Sequence, residues 1–263
     1  MTLSLLQYVL GLLSGGAVGF TLGLVGGGGS ILAVPLMVYV VGVSNPHVAI
    51  GTSALSVAVN AASNLVNHAR RGNVKWRCAL VFACAGVIGA LVGSTFGKLV
   101  DGQRLLLLFA LLMVAVGVAM LRRRDAGGDP NVTLNAKNAP KLTMAGAITG
   151  ALSGFFGIGG GFLIVPGLMA STRMPILYAV GSSLVAVAAF GLTTAVNYAW
   201  SGWIAWVLAA IFIAGGIGGG LLGARVAVRA NAHKGTLNLI FVVLIFIVAA
   251  YMLLRSLRAL NLV

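Results

Sequence analysis

The sequence predicts an all-α polytopic membrane protein made of two inverted repeats, each of about five helical segments, with glycine-broken short helices at the bilayer midplane. Three observations carry that prediction. Of 263 residues, 60% are hydrophobic and 8% are charged, and the mean hydropathy is +1.07. A water-soluble domain carries about 25% charged residues, so this chain lacks the polar surface to coat a globule. Its uncharged runs match the roughly 20 residues of a helical crossing. Finally, one glycine-broken apolar segment occurs twice, at a fixed offset.

The elements follow in order. Residues 3–25 are apolar and lack the basic start of a secretory signal, so they read as a retained helix. Glycines 26–29 break it, residues 30–41 form a short helix, Pro46 turns a corner, and residues 47–66 cross. Residues 78–97 fit a full crossing and 105–121 a slightly short one. The stretch 122–141, with Gly127, Gly128, Pro130, Asn131, Asn135 and Asn138, is plainly hydrophilic. It divides the chain into a first repeat (1–124), a cytoplasmic linker (125–141) and a second repeat (142–263). Residues 142–172 are too many for one upright helix and too few for two, and Gly157, Gly159, Gly160 and Gly161 interrupt them. Two short helices meeting inside the membrane fit better. Residues 174–224 supply two crossings around a polar turn at 197–202, with Trp200, Trp203 and Trp206 suited to a headgroup interface. Residues 235–254 make the last crossing.

Charge orients the chain. There are 17 Lys and Arg against 3 Asp and Glu, a net charge of +14. The basic residues lie in short clusters between apolar runs, which suits membrane loops and argues against nucleic acid as a partner. Threading the spans puts thirteen Lys and Arg on one side and four (Lys98, Arg104, Arg255, Arg258) on the other. Positive charge marks the cytoplasmic side, so both termini are expected outside, in a multi-pass arrangement. Cys78 and Cys84 are six residues apart in a helical run, roughly 9 Å between Cα atoms, too far for a disulfide.

The repeat is the most informative feature. Residues 19–35 (GFTLGLVGGGGSILAVP) and 150–166 (GALSGFFGIGGGFLIVP) agree at 8 of 17 positions at an offset of 131. Residues 49–58 (AIGTSALSVA) match 179–188 (AVGSSLVAVA) at offset 130, which also pairs Asn67 with Asn197, Gly72 with Gly202 and Trp76 with Trp206. Five segments per repeat is odd, so the second copy enters from the opposite face. Inverted repeats, each with a glycine-broken segment, point to a secondary transporter with its site at the midplane.

The doubled glycine breaks followed by proline, together with AIGTS and AVGSS, closely resemble the sulfite exporter TauE/SafE family of bacterial membrane permeases. The resemblance covers roughly residues 16–254. It implies a two-repeat helical bundle in the inner membrane and small sulfur-containing or carboxylated anions, such as sulfite or sulfoacetate, as substrates.

Read from the residues, a short helix starting at Ser30 and another at Phe162 would each present unpaired N–H groups and about half a positive charge at the glycine breaks. Gly26, Gly28, Gly29 and Ser30 with Gly157, Gly159, Gly160 and Gly161 are the anion-site candidates; tight helix packing is the alternative use of such glycines. Gly86, Gly89 and Gly93 with Gly216, Gly219 and Gly223 suit packing. Thr52, Ser53, Ser182 and Ser183 could donate to an oxyanion or bond back to their own helix. Asn60, Asn64 and Asn67 share a stripe, and Asn67 recurs as Asn197; they could line a pathway or join helices.

No Asp, Glu, Lys or Arg falls within a confident span, so proton or sodium coupling through a buried carboxylate is not expected. No cluster of His, Asp, Glu or Cys has metal-ligand or triad spacing, so no metal, no cofactor and no enzymatic activity are expected. The leading expectation is export of a small anion by alternating access. An anion channel-like uniporter and an ion-coupled importer of a small sulfur-containing anion are the alternatives, and a membrane enzyme or assembly subunit is the rival from another class. The lipid bilayer and the anion are the expected partners. Oligomeric state is open, a homodimer included.

Overall fold

The computed structural model describes residues 4–122, 128–129, 131–157, 160–229 and 234–259. Among the described residues there are helices and turns and no strand. Helix α1 (Leu5–Val25) opens on a reciprocal cap: the Ser4 hydroxyl accepts the Gln7 N–H at 3.3 Å, and Gln7 Oε1 accepts the Ser4 N–H at 2.9 Å. It ends at Gly26, whose φ of +72° is one that L-residues avoid. The next segment, α2 (Gly26–Val40), was expected to begin only after a break at residues 26–29. Instead the glycines are wound into a 3-10 helix over Gly26–Leu32, which passes through Ala33–Pro35 into a π turn at Leu36–Val40. All seven residues of that 3-10 turn are buried, away from any water that could satisfy an open backbone, so the chain bonds to itself.

Helix α2 folds back along α1. Gln7 Nε2, in the first turn of α1, donates to the Val41 carbonyl at 3.2 Å, which closes the base of a hairpin whose tip is the glycine run. Helices α3 (Pro46–Arg70), α4 (Trp76–Leu99) and α5 (Gly102–Arg122) follow. Asn45 caps α3 by accepting the His47 N–H at 2.9 Å, and Asp101 caps α5 through the Gln103 and Arg104 N–H groups. A second hairpin comes next. Helix α6 (Ala139–Phe156) stops at Gly157 (φ +67°), and α7 (Gly161–Thr172) returns from Gly160 (φ +64°). The Ser171 hydroxyl reaches the Lys141 carbonyl at 3.4 Å, so the base of this hairpin is also closed. Helices α8 (Ile176–Trp200), α9 (Trp206–Arg229) and α10 (Lys234–Ala259) complete the bundle. The polar turn expected at 197–202 is helical up to Trp200 and turns at Ser201 and Gly202.

Packing is organised by small residues. Along α1, Gly15, Gly19 and Gly23 lie against Phe212, Gly216 and Gly220 of α9, so the two helices run parallel with their backbones in contact. Along α6, Gly146, Gly150 and Gly154 meet Phe82, Gly86 and Ala90 of α4 in the same way. Helices α3 and α8 instead run antiparallel: Gly51 sits by Tyr198, Gly191 by Ala54 and Ala58, and Gly181 by Asn73. Six described helices are long and apolar enough to cross a membrane, and large hydrophobic side chains such as Leu5, Ile88, Phe96, Trp200 and Trp206 are exposed on the outside of the bundle. Lipid is the solvent for that surface.

Candidate functional site

The two hairpins meet tip to tip in the core. The Gly161 N–H, at the start of α7, donates to Ser30 Oγ at 3.3 Å, and Ser30 Oγ donates to the Gly27 carbonyl at 3.0 Å. From the other side, the Gly27 N–H donates to Ser183 Oγ at 3.3 Å, and that hydroxyl donates to the Val180 carbonyl at 2.7 Å. Ser30 and Ser183 are both fully buried. The contact is close because neither tip carries side chains: a Cβ on Gly161 would fall on the Gly27 carbonyl. A Cβ on Gly26 would strike Val180, and one on Gly157 would strike Ile50.

The chemistry available there is neutral. Among the described residues, the buried polar side chains are Ser, Thr and Asn, with the phenol of Tyr198. Positive potential comes instead from helix N-terminal amides, above all those of α7 behind Gly160. Five fully buried hydroxyls have no partner among the described residues: Ser53 Oγ on α3, Ser153 Oγ on α6, Thr194 Oγ1 and Tyr198 Oη on α8, and Ser256 Oγ on α10. Ser153 stands next to Gly160, where a Cβ would come within 2.7 Å of its oxygen. Unpaired buried hydroxyls are costly, about 1–3 kcal/mol each, and a ligand or water is the usual reason for keeping them.

The expected site residues therefore separate. Gly26, Gly28, Gly29 and Ser30 line the first tip, and Gly157, Gly160 and Gly161 the second; Gly159 lies outside the described residues. Ser183 bonds a tip amide, and Ser53 is unpaired. Thr52 and Ser182 are turned elsewhere. Thr52 Oγ1 accepts the Ala205 N–H at 3.0 Å, just before α9, and Ser182 Oγ accepts the Lys75 N–H at 2.9 Å, just before α4. Asn60 and Asn64 face α9 over Gly216 and Gly220, while Asn67 is half-buried near the end of α3. Asn197 is held in a latch between α4 and α8. Its Nδ2 donates to Ser94 Oγ at 2.6 Å and Thr95 Oγ1 at 3.1 Å, and Lys98 Nζ donates to its Oδ1 at 2.8 Å and to Ser201 Oγ at 3.0 Å.

Sequence reasoning missed Ser153, Lys98 and the Ser94–Thr95 pair. Ser153 had a local signal, being one turn before a glycine break. The latch had none, since its partners lie about a hundred residues apart.

Comparison with known proteins agrees with this architecture. A family model described as sulfite exporter TauE/SafE matches residues 11–252. A probable membrane transporter protein of Xylella fastidiosa (strain Temecula1) is 54% identical over 258 residues, covering 97% of this chain and 98% of that one. The probable membrane transporter protein YunE of Bacillus subtilis is 28% identical over 91% of this chain and 93% of its own length. Another, MJ0441 of Methanocaldococcus jannaschii, is 28% identical over 64% of each chain. No solved structure matches the chain significantly. A whole-length family match, supported by a relative sharing more than half its residues end to end, makes this chain a member of the sulfite exporter TauE/SafE family of membrane transporters.

Proposed function

We propose that the protein exports a small anion, such as sulfite or an organosulfonate or carboxylate, across a bacterial inner membrane by alternating access at the hairpin tips. The observation that carries this reading is the meeting of two glycine tips in a neutral core, beside the unpaired hydroxyl of Ser153; the unpaired, buried Ser53 hydroxyl of α3 is assigned to the same site by this reading. Backbone amides and hydroxyls hold an oxyanion without a cation that would trap it. The glycines allow the backbone to approach closely.

In this reading residues 1–124 and 142–263 are inverted repeats joined by a cytoplasmic linker, with both termini outside. Support comes from the matched helices α3 and α8, which run antiparallel, and from the pairing of α1 with α9 and α6 with α4. Inverted halves give two related ways of closing around one central site. An inside-negative potential expels a monoanion with about 2.3 kcal/mol per 100 mV, so no coupling ion is needed. The sulfur-anion substrate rests on the family's description. The protein acts as a permease and not as an enzyme, and needs no cofactor.

The test is flux of labelled sulfite, sulfoacetate and acetate in proteoliposomes with the potential clamped at each sign. Saturable flux that follows the potential is expected. Ser53→Ala should raise KM roughly tenfold, for one lost hydrogen bond to a charged ligand worth about 1.5 kcal/mol, with thermal stability unchanged or higher. Unaltered flux in a folded Ser53→Ala protein would remove Ser53 from the site. Flux that appears only with a proton or sodium gradient would replace the uniport reading with a coupled one.

A further inference from the structure

The two halves fill matched positions with side chains of opposite character in one place. Between α8 and α4, the Phe190 ring lies over Gly86 and stacks on Phe82 with ring centroids 6.2 Å apart. Both rings are fully buried. At the matched position 130 residues earlier, between α3 and α9, Asn60 lies over Gly216. Asn60 is also fully buried, yet neither its Nδ2 nor its Oδ1 has a hydrogen-bond partner. One turn on, Asn64 uses its own Nδ2 on the Asn60 backbone carbonyl at 3.0 Å.

A buried carboxamide with two unpaired ends is a poor packing element. It fills space no better than leucine, and it strands two donors and an acceptor in a low-dielectric core. An interhelical glue role requires a partner on α9, but Gly216 offers only backbone, and the amide bonds to none of it. The glycine does provide room: a Cβ there would fall on the carboxamide. We infer that Asn60 is a ligand-facing residue, and that the seam between α3 and α9 is the side on which the anion and its water pass the hairpin tips.

On this assignment Asn60 Nδ2 donates to the anion's oxygens, and Oδ1 accepts from its hydration water. A neutral donor selects for an oxyanion without holding it as a lysine would. The Phe82–Phe190 stack closes the opposite seam. The assignment rests on the permease reading and adds which side of the tips the substrate uses.

Two experiments test it. In potential-clamped proteoliposomes, Asn60→Leu is expected to lose at least tenfold in kcat/KM for the transported anion, while its thermal midpoint stays the same or rises. A stable Asn60→Leu protein with wild-type flux overturns the inference; so does one whose lost flux merely tracks lost stability. The second experiment reads the seam without transport. In a background of Cys78→Ala and Cys84→Ala, Asn60→Cys should react with the anionic, water-soluble reagent sulfonatoethyl methanethiosulfonate. The control Ala186→Cys is fully buried on α8, one turn before Phe190, and should not react. An inert Asn60→Cys, or equal reaction at both positions, overturns the inference. Wild-type liposomes that move no anion would end the permease reading, and the labelling result would still decide for or against Asn60.

Discussion

At Gly161 the packing admits no side chain. A Cβ would land on the carbonyl of Gly27, and both partners are backbone at the tips of buried hairpins, so neither can rotate away. Gly72 makes a different demand: its φ is +70° in an exposed turn, with nothing within 4 Å of where a Cβ would stand. Alanine at Gly72 costs only the left-handed conformation, about 1–2 kcal/mol. At Gly161, whose φ any residue can adopt, the cost is instead overpacking against backbone that cannot rotate away, about 3 kcal/mol at the upper end of the usual range, and it pushes the tips apart. Gly161→Ala is therefore expected to abolish flux and to lower the thermal midpoint by more than Gly72→Ala, which should transport normally. Equal stability and flux in the two purified variants would mean that the tip contact is not tight. The glycines that make these tips were legible in the sequence because they recur in register with a proline. Which of two adjacent hydroxyls is left unpaired in the core was not. Thr52 and Ser53 are one residue apart on α3, and only the rotation of that helix against α8 and α9 turns one to a loop amide and the other into the core.

The same rotation gives the elements their anchors. Thr52 holds the residue before α9 and Ser182 holds the residue before α4, by one hydrogen bond each at positions 130 apart. Each bond secures the start of a long helix that packs along a hairpin. Removing one loses a partly buried hydrogen bond, at about 1 kcal/mol. Thr52→Val and Ser182→Ala should each lower the thermal midpoint by roughly 2–4 °C. The two sites share no partner, so the double variant should show the sum of the two losses. Differential scanning on the detergent-solubilised protein measures it, and a double variant no worse than either single one would show that the anchors act as a unit. Helix positions were readable from hydropathy and the spacing of basic residues. The winding of residues 26–29 was not, because each glycine costs a helix about 1 kcal/mol in water. Inside the core that preference yields to the need of buried backbone to bond itself. The Lys98–Asn197 latch was unreadable for another reason, since it joins helix ends that are neighbours only after folding.

At the scale of the whole molecule, the order of ten segments was legible because the repeat says which helix corresponds to which, and a charge pattern then gives an expectation for their sides. The turn at Gly72 lies among Arg70, Arg71, Lys75 and Arg77, whereas the matching turn at Gly202 lies among Trp200, Trp203 and Trp206. Both glycines have nearly the same φ, +70° and +71°, in exposed turns of the same shape. Equal shape with opposite dressing is what one unit placed twice in a membrane, once each way up, requires. Cytoplasmic loops collect Lys and Arg, each worth about 1 kcal/mol near an anionic leaflet, while Trp settles at the interface on either side. The turns are therefore expected on opposite faces, Gly72 inside and Gly202 outside. With Cys78 and Cys84 replaced by alanine, Gly202→Cys should be labelled by a membrane-impermeant maleimide in intact cells, and Gly72→Cys only after permeabilisation. Antiparallel α3 and α8 demand opposite faces whichever way the protein is inserted, so labelling of both cysteines from one side would contradict the helix packing itself. Labelling of Gly72→Cys alone from outside would leave the packing intact and reverse the orientation, placing the thirteen basic residues in the periplasm, while an uncoupled anion would still leave the cell because the membrane potential sets its direction.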